Sequence, residues 1–480
     1  MKYDFTTVMK REGHDLIAVD VIPFDNAKVA EGTDVIPMWV ADMSFPTAPC
    51  VLEAIRERLS FPNFGYFSSS EAYYRAIIDW HRIHKGTGDI TKECIGYENG
   101  VLGGVASALR ALTSPGDKIL LHAPTYVGFT HVLEDMGRTA VHSDLKRDEN
   151  GIWRMDYEDM DRKLKENRIH LAIFCSPHNP TGRVWEQEEI RTAMEIYARN
   201  DCLVISDEIW SDLIMPGYRH IPTQSISEDA KNRTIALYAP SKTFSLAGLI
   251  GSYHVVYNPR LRDRLRREGD STHYNSQNVL SMAGLIGAYT KGGEWLEELI
   301  PVLDGNAAYA CEFIEKHFPG VRVMRPQGTY MLFLDCGQYC REKGISIREL
   351  QLGGVETGVI WQDGEAFYWP DSIRMNLAPA QEEGGGGHGK AEGPGIFIRW
   401  GIRLRNEYRG NHSPHGERGR HERVPDDAGI LRPAAGNGKV RGRSAVAYHR
   451  PVCRGLSLYP GLADYGQDIG HGIRHCLLWI

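Results

Sequence analysis

Apolar residues over the first 378 positions fall into two recurring patterns. Short runs of strand length at 118–122 (KILLH), 170–175 (HLAIFC), 202–206 (CLVIS), 234–238 (TIALY) and 253–257 (YHVVY) are rich in Ile, Leu and Val. That is the composition of parallel strands buried on both faces. Between them, 157–167 and 187–200 space apolar and charged residues at helical intervals. The alternation predicts an α/β domain. At Pro379 the pattern ends. A Gly384 to Gly387 run opens a stretch with no helix or strand period.

Composition narrows the class. Of 480 residues, 42% are hydrophobic and 24% charged, an ordinary globular balance that argues against a disordered chain. A net charge of −7 argues against nucleic acid as a partner of the main body. Nine Cys occur without a CxxC pair, so neither a metal site nor a disulfide framework is expected, and the thiols read as reduced. The first fifteen residues lack the apolar core of a signal peptide, and no apolar run is long enough for a membrane span. The expectation is a soluble, cytoplasmic protein with no membrane partner. Residues 379–480 differ, holding 20 of the 51 Gly and 15 Lys and Arg against 10 Asp and Glu.

Several predicted strands run into chemically loaded residues. The run at 170–175 leads to Ser176-Pro177-His178-Asn179-Pro180-Thr181-Gly182, that at 202–206 to Asp207-Glu208, and that at 234–238 to Ala239-Pro240-Ser241-Lys242-Thr243. Ligands of open α/β sheets sit outside the carboxyl ends of the strands. Each residue has a plainer reading, as a helix cap, a turn or a solvated charge. Their joint occurrence at three strand ends favours one shared site.

The segments SPHNPTG, SDEIW and APSKTFSLAGL closely resemble the motifs of fold-type I pyridoxal-phosphate (PLP) enzymes, the class I/II aminotransferase superfamily. The resemblance runs from about Met38 to Ala378. Within it, Pro37-Met38-Trp39-Val40-Ala41-Asp42-Met43 is similar to the start of the cystathionine β-lyase branch of MalY and PatB type, which splits C–S bonds. The resemblance implies the aspartate aminotransferase fold: a large domain with a mostly parallel seven-stranded sheet at 51–285, and a smaller α/β domain from 1–50 and 286–378. It implies PLP as cofactor. Lys242 would hold it as a Schiff base and, once freed, act as general base. Asp207 would keep the ring nitrogen protonated, Asn179 would bond the phenolic oxygen, and Tyr126, counted with Lys242 as catalytic, would stack on the ring. Phosphate contacts would come from the Val101 and Leu102 amides at a helix N-terminus, from Ser241, and from Tyr66 across the interface of a homodimer. Arg374 would grip the substrate α-carboxylate, with Trp39 and Tyr66 also facing substrate. Trp210 and Tyr330 would shape the side-chain pocket.

The implied activity is cleavage of L-cystathionine or a related L-cysteine S-conjugate to a thiol, pyruvate and ammonia. An aminotransferase on the same scaffold, or a regulatory protein keeping the fold and acting through a partner, remain as alternatives. Three departures stand out. Ile250 occupies the position eight residues after Lys242 where many aminotransferases place a phosphate-clamping arginine, and Ala239 replaces a common serine. The resemblance also stops at Pro379, where an amphipathic helix of the smaller domain would follow. Residues 379–480 therefore read as an altered reading frame or fused segment, or else as a basic Arg/Gly/His tail, and the smaller domain is expected to expose apolar surface.

Overall fold

The computed structural model of the protein describes residues 1–378, apart from positions 8, 25, 26, 34 and 274–276. The expectations placed on 379–480 lie outside the described residues. All five predicted strands belong to one seven-stranded sheet. In chain order its strands are β1 (Ile95–Glu98), β2 (Lys118–Ala123), β3 (Thr139–Asp144), β4 (Leu171–Cys175), β5 (Leu203–Asp207), β6 (Thr234–Tyr238) and β7 (Ser252–Val255). Their spatial order is β1-β7-β6-β5-β4-β2-β3. From β3 to β6 every pairing is parallel, whereas β7 runs antiparallel to both β6 and β1.

The sequence pattern groups residues 253–257 with the parallel strands, and the structure corrects this. No crossover helix separates β6 from β7. The loop between them holds only a single 3-10 turn, Ala247–Leu249, and a short return of this kind gives an antiparallel neighbour. Two strands, β1 and β3, escape the hydrophobic pattern altogether. Both lie at the sheet edges, where a strand is covered less fully and its sequence (IGYE, TAVHSD) stays mixed.

Both faces of the sheet are buried. On one lies helix α1 (Gly100–Leu112), whose Val105 and Leu109 pack with Ile119, Ile173, Ile205 and Leu237. On the other lie α2 (Tyr157–Asn167) and α3 (Gln187–Arg199), whose Met160, Leu164, Ile190 and Met194 pack with Leu120, Phe174 and Val204. In β4 alternate residues serve the two cores, Leu171 and Ile173 one way and Ala172 and Phe174 the other. Helix α3 starts at a capping box in which the Glu186 and Glu189 side chains accept from each other's backbone N–H. Each fully buried aliphatic or aromatic side chain here contributes about 1.5–3 kcal/mol.

A second, antiparallel sheet is built from β8 (Arg322–Val323), β9 (Met331–Asp335), β10 (Gln362–Asp363) and β11 (Ser372–Asn376), in the order β8-β9-β11-β10. It packs on α4 (Gly293–His317) through Ala307, Ala310 and Ile314, and on α5 (Ile347–Glu356) through Leu350 and Val355. The N-terminal segment joins this core, with Ile36–Pro37 pairing parallel to Val359–Ile360 and Met38 buried against the sheet. On this part Ile17 and Val21 of the N-terminal segment are exposed, whereas the second sheet is covered. Ile373, Met375 and Leu377 on and beside β11 are all buried, because α4, α5 and the N-terminal segment cover them.

Candidate active site

At the carboxyl ends of β4, β5 and β6 lies a cavity of about 330 Å³. Asp207 is the last residue of β5, Asn179 sits in the turn after β4, and Ser241 and Lys242 follow β6; all four line the cavity. Its floor includes Gly100, Val101 and Leu102, the first turn of α1, which begins with no side-chain cap. Tyr126, Ile209, Trp210 and Ala41 complete the wall near the reactive groups. Gly128 lets the Tyr126 ring lie where it does. A Cβ on Gly128 would stand 2.5 Å from Tyr126 Cε1 and 2.8 Å from Leu102 Cδ1. A larger cavity of about 520 Å³ lies along edge strand β1, lined by Glu93, His254 and Arg262 among others, and none of the strand-end residues reaches it.

The electrostatics of the site are those of charges taken out of water. Asp207 is 4% exposed. One oxygen accepts from the Ile209 N–H at 3.1 Å, and no cation pairs with it among the described residues. Burial pushes its pKa up to about 7. Lys242 Nζ donates to the Ala41 carbonyl at 3.0 Å and lies 5.6 Å from the centre of the Trp210 ring. Burial, with the neighbouring Arg374 guanidinium second, lowers its pKa to about 8. The Ala41 carbonyl also accepts from the Tyr330 hydroxyl at 3.0 Å.

Arg374, on β11 opposite Phe333 and Gln362, reaches the same place from the second sheet. Its side chain donates to Asn179 Oδ1 at 3.1 Å, to the Trp39 carbonyl at 2.8 Å and to Gln362 Oε1. Its Nε is buried with no hydrogen-bond partner, and no carboxylate pairs with the guanidinium among the described residues. Burial lowers its pKa to about 10. Two residues further along β11, Asn376 Nδ2 donates to the Val40 carbonyl at 2.7 Å and to the Asp42 carbonyl. The carbonyls of Trp39, Val40, Ala41 and Asp42 are thus all engaged, and the segment is strapped down beside Lys242.

Of the residues singled out in the sequence, Lys242, Asp207, Asn179, Tyr126, Val101, Leu102 and Ser241 meet at one cavity. Arg374 touches it through Asn179. Trp39 contributes its carbonyl to Arg374, while its indole N–H donates to the Ala18 carbonyl at 3.1 Å. Tyr66 is fully exposed and is not part of the cavity in this chain. Gln362, Ile209 and the Ala41 carbonyl were not foreseen, since a backbone acceptor or a neutral side chain on a distant strand leaves no mark in a motif. Ile250 lies at the cavity with φ 47°, a left-handed conformation that a β-branched residue rarely takes. Its carbonyl accepts from the Tyr97 hydroxyl at 2.8 Å.

The donor set fits PLP. The first amides of α1 suit an anion, and the buried, unpaired Asp207 carboxylate calls for a cationic N–H such as a protonated pyridine nitrogen. An amine with a lowered pKa suits covalent capture of an aldehyde. Lys242 is the one cation lining the cavity among the described residues, so a bound phosphate would lean on amides and hydroxyls.

The family described as aminotransferase class I and II matches residues 33–384, and the chain belongs to that family. Among its relatives, the cystathionine β-lyase PatB of Bacillus subtilis (strain 168) is 33% identical over 72% of this chain and 88% of its own length. Protein MalY of Escherichia coli (strain K12) is 30% identical over 69% and 84%. Among solved structures, cystalysin from Treponema denticola, which contains PLP, superposes with a TM-score of 0.77 at 28% identity, covering 85% of this chain and 100% of that one. A PLP-bound C–S lyase from Staphylococcus hominis gives 0.74 at 30% identity, covering 85% and 100%.

Proposed function

We propose that the chain is a PLP-dependent carbon–sulfur β-lyase that cleaves L-cystathionine or a related L-cysteine S-conjugate. The observation that carries the chemistry is the convergence of Lys242, Asp207 and Asn179 on one cavity with Arg374 behind it. Likeness to relatives named for cystathionine cleavage supports the lyase over the aminotransferase. When bound, PLP supplies an electron sink for the carbanion formed at the substrate Cα.

The chain's own groups do the rest. Lys242 holds the cofactor through its amine, which is partly neutral near pH 8. Asp207 would hold the ring-nitrogen proton, Asn179 would bond the phenolic oxygen and Tyr126 would line the cavity beside the ring. The Val101 and Leu102 amides and the Ser241 hydroxyl take the phosphate. Arg374, already desolvated and lacking a carboxylate, would take the substrate α-carboxylate through its unpartnered Nε–H. As a free amine, Lys242 would take the Cα proton. The Cβ–S bond breaks, the sulfur leaves with the electron pair as thiolate, and the three-carbon remainder takes up one water to give pyruvate and ammonia.

The assembly belongs to the same reading. Phe61, Phe64 and Tyr66 are exposed in one short segment, with Leu59 and Phe67 beside them, a cluster of apolar groups large enough to want a cover. A homodimer would bury it and bring Tyr66 of each copy to the other's phosphate. The seven-stranded sheet with its helices would be the large domain at 51–285, and 1–50 with 286–378 the small one. No helix among the described residues is long and apolar enough to cross a membrane, and the described cysteines are free thiols, which suits the cytoplasm.

The test is thiol release from L-cystathionine by PLP-loaded protein with no keto acid added. Thiol and pyruvate in equal amounts are expected. Turnover only when a keto acid is supplied would replace the lyase by an aminotransferase.

A further inference from the structure

Behind the cavity, the segment that leaves β5 carries Asp207, Trp210 and Asp212 in succession, and the loop after β6 carries Lys242 and Thr243. The two are tied by side chains. Thr243 Oγ1 donates to Asp212 Oδ2 at 2.9 Å. The other Asp212 oxygen accepts from Trp80 Nε1 at 3.1 Å and from Lys85 Nζ, and Lys85 also donates to Ser211 Oγ at 2.7 Å. The Lys85 and Asp212 side chains are 2% and 3% exposed, and Thr243 is fully buried. Lys85 ends a π-helical turn, His81–Lys85, appended to the helix Glu71–Trp80; such turns recur at functional sites.

A buried ion pair is weak as a stabiliser, because desolvation offsets most of its attraction and an apolar replacement often serves as well. What this pair does supply is a fixed acceptor. Asp212 Oδ1 is occupied by Lys85 and Trp80, so the carboxylate cannot turn, and Oδ2 is left pointing at the hydroxyl next to the lysine. We propose that Lys85, Asp212 and Thr243 form a positioning clamp that fixes Lys242 relative to Asp207 and Trp210. None of the three lines the cavity. They act through the residues that do, and the inference rests on Lys242 being the cofactor-bearing lysine.

Thr243→Val removes the hydroxyl while keeping the shape, and Thr243→Ser restores it. The groups whose charges bear on Lys242, namely Arg374, Asp42 and Asp207, are untouched in both. A change in the pH midpoint of the visible absorbance band of the lysine-bound cofactor therefore reports a moved lysine. In the Val variant the midpoint is expected to shift by about half a pH unit or more, and kcat for thiol release to fall by about 10- to 100-fold with KM nearly unchanged. The Ser variant is expected to match the wild type in both. A Val variant with wild-type midpoint and kcat but a lower melting temperature overturns the proposal, as does a Ser variant as impaired as Val. If the Val variant does not fold, Thr243→Ala is measured in its place against the same Ser rescue. Should the wild type release no thiol at all, the lyase reading fails, while the absorbance midpoints still decide the clamp.

Discussion

Asp207 and Lys242 carry opposite burdens in the same cavity, and each gives the site a pH signature. Burial raises the Asp207 pKa from 3.8 to about 7, so below pH 7 the folded chain binds a proton that the unfolded chain has already released. Its cost to stability therefore grows from about pH 4 to about 7 and levels off above. Asp207→Asn is expected to raise the melting temperature of the cofactor-free protein by more at pH 8 than at pH 5. Equal shifts at both pH values would sink the argument. Lys242 is lowered from 10.5 to about 8. Below 8 the folded state holds a desolvated charge, a penalty relieved as pH rises from 8 towards 10.5, so here stability increases with pH. The same shift makes the amine available. Formation of the visible band on adding PLP to cofactor-free protein is expected to speed up as pH rises through about 8 and to vanish in Lys242→Ala.

At the scale of elements, the legible parts were the buried strands and the helices with one buried face. Strands β2, β4, β5 and β6 and helices α2 and α3 carry unbroken or evenly spaced apolar residues, because both sheet faces are covered. Edge strands β1 and β3 were not legible, and the reversed direction of β7 was not either, since direction is set by the length of the connection and not by the strand's own residues. The candidate site divides the same way. Lys242, Asp207 and Asn179 announce themselves at strand ends, whereas the strap formed by Trp39 to Asp42 works through backbone carbonyls that any residue possesses. Asn376 is its fastening. Asn376→Ala leaves the Val40 and Asp42 carbonyls without that donor, at about 1–3 kcal/mol. Denaturant titration is expected to show that loss, and steady-state kinetics a rise in KM larger than the fall in kcat.

For the whole molecule, the proposed dimer ties assembly to activity. Arg58 lies over the Phe61 and Phe64 rings at 5.7 and 5.2 Å, which orders the patch without covering it. Light scattering on the wild type is expected to give twice the chain mass. Phe64→Glu, which sets a charge in the middle of the patch, is expected to give monomers that fold normally but release thiol at least about 10-fold more slowly, because Tyr66 no longer reaches a neighbour's phosphate. Monomers with full activity would show that each site is complete within one chain.

Arg374 is held by Asn179, Trp39 and Gln362 at once, so it cannot swing to follow a guest. In the proposed site a substrate brings its carboxylate to a fixed point, its amino group to another at Lys242, and its remaining arm to the wall at Trp210. Three such points fix a plane, and with them occupied the two enantiomers differ only in the side of that plane on which the Cα–H lies. The rigidity of one arginine thus makes the site handed, because an amine held on one side of the plane takes the proton of one enantiomer and not of the other.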